Sequence, residues 1–207
     1  MSAILKRKGD YNNLIAYKKS VIIYDITFFF TQHFLQKGDR TIDQMLQAAR
    51  SGKQNIAEGN RAAATSTETE IKLTNVAKAS LEELLIDYHD YLRTRDKLLW
   101  DTSNPRYEKM RAYAASELIF DQYHSLLHKY NDEALANLCI TLIHQTSFLL
   151  YRLLEKQEKN FLKEGGLKER MYQARVNVRN TSLLGGMGRM GRLGGMGRLG
   201  GMRRLGG

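Results

Sequence analysis

The stretch RSGKQNIAEGNRAAATSTETEIKLTNVAKASLEEL (residues 50–84) decides the reading of the chain. Its first part reads as the last turns of a helix that ends at Glu58-Gly59, where glycine can take the left-handed conformation that closes a helix. A short link, residues 60–65, follows. Thr65 and Glu68 then offer a capping box, and Thr67 with Glu70 offers a second, overlapping one. The spacing predicts two helices joined by a turn rich in polar and charged residues.

Working outward, residues 11–35 place Leu14, Tyr17, Val21, Tyr24, Phe28 and Leu35 at alternating three- and four-residue steps, with Thr31 in the remaining slot. Ile15, Ile22 and Phe29 widen this stripe, which suits a bundle helix. Phe28-Phe29-Phe30 is wider than one core face, so core packing and contact with another subunit are both open readings. Lys37-Gly38-Asp39 makes a tight link, capped by Asp39 or Thr41. The second helix is expected to bury Ile42, Met45, Leu46, Ala49 and Ile56, with Gly52 at a close helix crossing and Asn55 in need of hydrogen-bond partners.

The third helix, residues 66–97, presents Ala77, Leu81, Leu84, Tyr88, Tyr91 and Leu98. Asn104 and Pro105 then open one further helix over residues 106–129, an insertion or an extension of the third helix, with Met110, Tyr113, Glu117, Phe120, His124 and Leu127 at its repeating slots. Asn131, Asp132 and Glu133 set acceptors at the start of the last bundle helix. That helix is expected to bury Leu135, Leu138, Cys139, Leu142, Leu149, Leu150 and Leu153 and to run to about residue 163. Residues 167–180 read as a short basic helix. The fold class expected is all-α: an antiparallel up-down four-helix bundle with a helical insertion. Its segments are residues 1–99, 100–130, 131–164, a basic suffix at 165–184 and a tail at 185–207.

Arg50, Asn55, Ile56, Ala57, Glu58, Gly59, Arg61, Thr65, Glu68, Ala77, Ser80, Leu81, Glu83 and Leu84 together resemble the core motif of the bacterial four-helix bundle family. That family holds the intervening-sequence proteins of large ribosomal RNA and, more distantly, the Avd accessory proteins of diversity-generating retroelements. Trp100, Ala136-Asn137, residues 142–145 and residues 161–171 resemble the suffix extension carried by some members. The resemblance implies an oligomer, a ring-like pentamer in known relatives. It also implies nucleic-acid binding in the Avd branch, with a reverse transcriptase or its template RNA as partner. It does not imply catalysis.

The net charge of +10 is unevenly placed. Eight arginines and no acidic residue lie from Arg170 onward, which leaves 24 basic against 22 acidic residues, a net of +2, in residues 1–169. The tail, GGMGRMGRLGGMGRLGGMRRLGG, holds 11 glycines, five arginines, four methionines and three leucines. Glycine at that density recovers little of its ordering entropy by packing, so disorder is expected there. Spaced arginines on such a chain suit phosphate contacts and stacking on unpaired bases. The Met and Leu suit docking in an apolar groove, and a passive solubilising tail is the third reading. Candidate nucleic-acid contacts are Arg50, Lys53, Arg61, Lys72 and Lys78 on the body, then Arg170, Arg175, Arg179, Arg189, Arg192, Arg198, Arg203 and Arg204. Against this, Arg50 and Arg61 are open to simple pairing with Glu58 or Glu68.

No cofactor is expected. A di-iron bundle needs paired carboxylate-x-x-His motifs, and only Asp121-x-x-His124, with His128 one turn on, approaches one. Phosphate-loop, nucleophile-elbow and zinc-ligand patterns are not found. Cys139 reads as core packing, and His144-Gln145 as part of a buried polar network. One cysteine points to a reducing, cytoplasmic setting, no stretch of about 20 apolar residues suggests a membrane span, and the first residues lack a signal-peptide pattern. The function expected is therefore a non-enzymatic homo-oligomer that binds RNA or single-stranded DNA with little sequence specificity. A protein-interaction scaffold is the alternative, and a bundle metalloenzyme the remote one.

Overall fold

The structure, a computed structural model, describes residues 10–190, with side chains described for all of these except Glu164 and residues 182–190. Every regular element among them is helical. A 3₁₀ turn at Tyr11–Asn13 leads into α1 (Ile15–Phe34), α2 (Arg40–Ala62) and α3 (Thr67–Thr94). Two short helices, α4 (Tyr107–Ala115) and α5 (Leu118–Leu127), precede the long α6 (Asp132–Glu164) and then α7 (Leu167–Met190). Helices α1 and α3 each pack against both α2 and α6, so these four enclose one core, while α4 leans on α6 and α5 on α1.

The core face of α1 differs from the expected one. Ala16, Lys19, Ser20, Ile23, Ile26, Thr27 and Phe30 are buried, whereas Tyr17, Val21 and Tyr24 are half-buried and Phe28 is 51 % exposed. The true stripe sits one residue, about 100°, around the helix from the predicted one. Polar residues made the shift invisible. Ser20 Oγ donates to Tyr17 O at 2.7 Å and Thr27 Oγ1 to Ile23 O at 2.7 Å, so both hydroxyls are satisfied inside the core by their own helix. The tyrosines take the flanks.

In α2, Asp39 is the cap, accepting from Thr41 N at 2.9 Å. The helix does not stop at Gly59 but continues to Ala62. Gly59 is buried within it, and a Cβ there would lie 3.4 Å from Glu70 O and from Leu73 Cβ. A Cβ at Gly52 would meet Leu81 Cδ2 at 3.0 Å. Both glycines, seven residues apart and so on one face, let α3 approach closely. Gly52 was expected to do this; Gly59 was expected to end the helix. Asn55 Nδ2 donates to Ser51 O and Oγ.

The cap of α3 is Ser66, between the two predicted choices; its Oγ accepts from Thr69 N at 3.1 Å. Ala77, Leu81, Leu84, Tyr88 and Tyr91 are buried as predicted, but the helix ends at Thr94 and Leu98 is 64 % exposed. The single helix expected over residues 106–129 is two. The backbone at Ser116 turns extended, with φ −79° and ψ 159°, and Glu117 starts a new helix. Helix α5 buries Ile119, Tyr123 and Leu127, and Tyr123 Oη donates to Asp25 Oδ2 of α1 at 2.6 Å.

Asn131 caps α6 as expected, accepting from Ala134 N at 3.0 Å. Helix α6 buries Leu135, Leu138, Cys139, Leu142 and Leu150; Leu149 and Leu153 are half-buried. It also carries an apolar stretch of mean hydropathy 1.3, against the expectation that no span-length stretch exists; 61 % of that window is buried against the rest of the chain. Such burial suits a core helix. Gly165, at φ 70°, closes α6, and its N–H donates to Phe161 O at 2.8 Å. Helix α7 continues past the expected residue 180 to Met190, and residues 191–207 of the predicted tail lie outside the described residues.

Candidate nucleic-acid interface and the Lys19 groove

Arg50, Lys53, Ala57 and Arg61 follow three- and four-residue steps, which sets them on one stripe of α2 over about 16 Å. Lys53 Nζ stands 3.9 Å above the ring of Tyr24 on α1. Arg61 Cζ stands 4.7 Å above the ring of Tyr11, to whose hydroxyl Arg61 Nη2 donates at 3.0 Å. Tyr17 meets Tyr11 edge-on at 4.7 Å. Cations from α2 therefore lie against aromatic rings from α1 and from the 3₁₀ turn that precedes it, along one seam. Arg50 and Arg61 do not form ion pairs with Glu58 or Glu68 among the described residues, which corrects the pairing read as their alternative role.

The other predicted cations are not brought to this stripe. Lys72 and Lys78 are six residues apart on α3, about 120° around it; Lys72 is exposed and Lys78 pairs with Glu82 at 3.1 Å. Arg175 and Arg179 are exposed on α7, as are Tyr172 and Val178. Arg170 is half-buried, and its Nε and Nη2 are enclosed without a hydrogen bond. It faces Glu68. That carboxylate is held below its ordinary range by its own backbone N–H, by Ser66 Oγ and by the charges of Arg170 and Lys168. Glu68 lies tight against the start of α7, where a Cβ at Gly166 would overlap it. Arg189 lies on α7; Arg192, Arg198, Arg203 and Arg204 lie outside the described residues.

A groove of about 1040 Å³ opens between α1, α4, α6 and the 95–106 link. Ile15, Leu99, Trp100, Phe148 and Leu149 give it an apolar lining, and its charged groups and histidines are Lys19, His89, Arg111 and His144 with the carboxylates Asp101 and Glu108. Lys19 lies in its wall, only 5 % exposed. Lys19 Nζ donates to Ala114 O, one of the terminal carbonyls of α4, and to Gln145 Oε1 at 2.8 Å. Gln145 Nε2 in turn donates to Arg111 O at 3.2 Å. Gln145 thus joins the polar network predicted for it, while His144 is exposed. Burial lowers the Lys19 pKa, and the charge of Glu117 partly counters this.

One end of the groove is fixed by Asn137, 2 % exposed. Its Oδ1 accepts from Trp100 N at 2.7 Å, and its Nδ2 donates to Leu98 O and Glu133 O, each at 2.8 Å. Glu133 Oε1 accepts from Trp100 Nε1 at 3.0 Å. Asp132 accepts from Tyr91 Oη at 2.7 Å and pairs with Lys97 at 2.9 Å, fastening the end of α3 to the start of α6.

Desolvation, then the charge of His89, lowers the His144 pKa. The unfolded chain thus binds this proton at a higher pH than the folded one. Stability is expected to fall as pH drops from the ordinary histidine value to the lowered one, and the loss is then complete. A proton-NMR titration of the His144 ring checks this through a midpoint below that of an exposed histidine, and His144→Gln removes this share of the acid sensitivity.

His124 is exposed and lies tilted by 31° against Tyr123 with ring centroids 4.0 Å apart, and His128 meets Phe29 edge-on at 5.0 Å. Among the described residues no group of three His, Cys, Asp or Glu is placed to hold a metal ion. Cys139 is fully buried 3.9 Å from Thr27 Oγ1, and burial pushes its thiol up to about 12, so it stays protonated in the core. The sequence reading missed Lys19, whose partners lie 95 and 126 residues away. It also missed the seam tyrosines as cation partners.

The fold and these surfaces define an all-α protein with a cation–aromatic seam on one side and a lysine-walled groove on another. No family model, curated protein or solved structure matches the chain.

Proposed function

We propose that this chain is a non-enzymatic, homo-oligomeric, cytoplasmic protein that binds RNA or single-stranded DNA electrostatically and with little sequence specificity. Helices α1, α2, α3 and α6 form its up-down four-helix bundle, and α4 and α5 its insertion. The observation that carries this reading is the α1–α2 seam. Arg50, Lys53 and Arg61 share one stripe of α2, and two of them lie over tyrosine rings. Cations that neutralise phosphates beside rings on which bases stack are the two components of sequence-tolerant single-strand binding. The exposed Arg175 and Arg179 and the arginines beyond residue 188 extend the cationic surface. In a ring of five such chains, linked weak contacts add through effective concentration. The sequence resemblance makes a reverse transcriptase or its template RNA the proposed partner.

The test is titration of single-stranded RNA and DNA at two salt concentrations. It compares the full chain, a chain ending at Asn180, and Arg50→Ala/Lys53→Ala/Arg61→Ala. Single-strand binding weakens with a log–log salt slope of about −0.7 per phosphate neutralised. Loss of the five arginines after Asn180 is expected to make that slope shallower by as much as about 3.5 and to weaken binding at least tenfold. The triple variant is expected to weaken it at least fivefold. Binding that ignores salt, tail and seam alike overturns the reading. The scaffold reading draws on the exposed Phe28, Ile86 and Tyr151, at 51, 60 and 52 %. Protein partners that stay bound after nuclease treatment, with no RNA or DNA affinity, would favour it.

A further inference from the structure

We infer that the groove between α1, α4 and α6 binds a small amphipathic carboxylate, its acid group against Lys19 and its apolar body along Ile15, Leu99 and Phe148. The inference is independent of nucleic-acid binding, since the groove lies apart from the Arg50–Arg61 stripe.

The reasoning starts at the ammonium group. The Lys19 ammonium has three N–H donors, and the residue is buried. Two donors reach Ala114 O and Gln145 Oε1, both neutral oxygens. The Phe120 ring, 5.9 Å from Nζ, adds a weak contact. Among the described residues no carboxylate stands within ion-pair distance of Lys19. A buried cation is costly unless an opposite charge compensates it. Capping the C-terminal end of α4 explains why Lys19 points where it does, but it supplies no opposite charge, and Glu117, beyond ion-pair distance, compensates the ammonium only in part. The groove supplies the space for the missing anion.

The shape selects the rest of the ligand. Ile15, Leu99 and Phe148 are 50, 46 and 61 % exposed and all line the groove. An exposed apolar rim above a buried cation matches a molecule with one negative end and a hydrocarbon or aromatic body. A phosphate or other compact polyanion would leave that rim wet. The volume, about 1040 Å³, is at the upper end of small-molecule sites.

The experiment uses the full chain, with octanoate as the probe and octanamide as its uncharged isostere. Binding is read by calorimetry and by the emission of Trp100, the single tryptophan, which lines the groove. Octanoate is expected to bind one per chain and at least tenfold more tightly than octanamide. Phe148→Glu, which sets a like charge on the exposed rim, is expected to weaken octanoate at least tenfold. Lys19→Met is expected to erase the preference for acid over amide. The octanamide comparison and Phe148→Glu stand even where Lys19→Met fails to fold. Equal binding of acid and amide, no binding of octanoate, or an unaffected Phe148→Glu overturns the inference.

Discussion

Asn137→Ala is expected to cost about 3 kcal/mol of stability, because it leaves the buried Trp100 N–H of the 95–106 link without a partner and opens a void. The side chain makes three hydrogen bonds, of 2.7 to 2.8 Å, and two of them hold backbone groups of that link. The third returns to Glu133 O, which keeps its helical bond without it. The orphaned groups differ in severity. Trp100 is 8 % exposed, so its N–H meets no water once Asn137 Oδ1 is gone; Leu98 is largely exposed, and its carbonyl finds solvent. An unsatisfied buried donor alone costs about 1–3 kcal/mol, and the void left by the amide adds to it. Asn137→Asp keeps the acceptor, loses the donor and buries a charge beside Glu133, so it is expected to be no better than alanine. Urea unfolding followed by Trp100 emission measures both. A loss below 1 kcal/mol for alanine would show that the link is held by Glu133 and the indole instead.

Why some of this was legible in sequence and some was not follows from where the partners lie. The apolar faces of α3 and α6 were readable because Leu81, Leu84, Tyr88, Leu135, Leu138 and Leu142 repeat within one helix. Nothing outside the helix is needed to place them. The face of α1 was misplaced by one residue because a count of apolar side chains favours Tyr17 and Tyr24 over Ser20 and Thr27. The hydroxyls are at home in the core only because Ile23 and Tyr17 carbonyls accept from them. Gly59 was misread because a glycine that ends a helix and one that admits a neighbour look alike until the neighbour is placed. The seam was half visible: Arg50, Lys53 and Arg61 carry their spacing openly, but the rings under two of them come from other elements, Tyr24 from α1 and Tyr11 from the 3₁₀ turn. Lys19 was invisible altogether. On α1 it is one lysine in a Lys18-Lys19 pair, and only the arrival of α4 and Gln145 buries it.

Gly52→Val is expected to destabilise the chain by about 2–3 kcal/mol through the α2–α3 crossing. A Cβ at position 52 stands 3.0 Å from Leu81 Cδ2, 3.1 Å from Leu81 Cγ and 3.6 Å from Ala77 O. Leu81 is fully buried, so it has little room to retreat, and valine adds two methyl groups to the overlap. Overpacking of a dense core costs about 1–3 kcal/mol, occasionally more, while replacing a mid-helix glycine returns less than about 1 kcal/mol of propensity. Gly52→Ala sets a larger propensity gain, about 1 kcal/mol, against tight contacts with the Leu81 side chain alone, and is expected to change stability by less than about 1 kcal/mol. The partner variant tests the cause. Leu81→Ala should cost about 3 kcal/mol by opening a cavity, into which the Gly52→Val methyls then fit. The double variant is therefore expected to be at least about 1 kcal/mol more stable than the sum of the singles, the coupling seen between residues in contact. Denaturant melts of the four proteins measure it, and strict additivity would mean that α2 and α3 separate to relieve the overlap rather than meeting at Leu81.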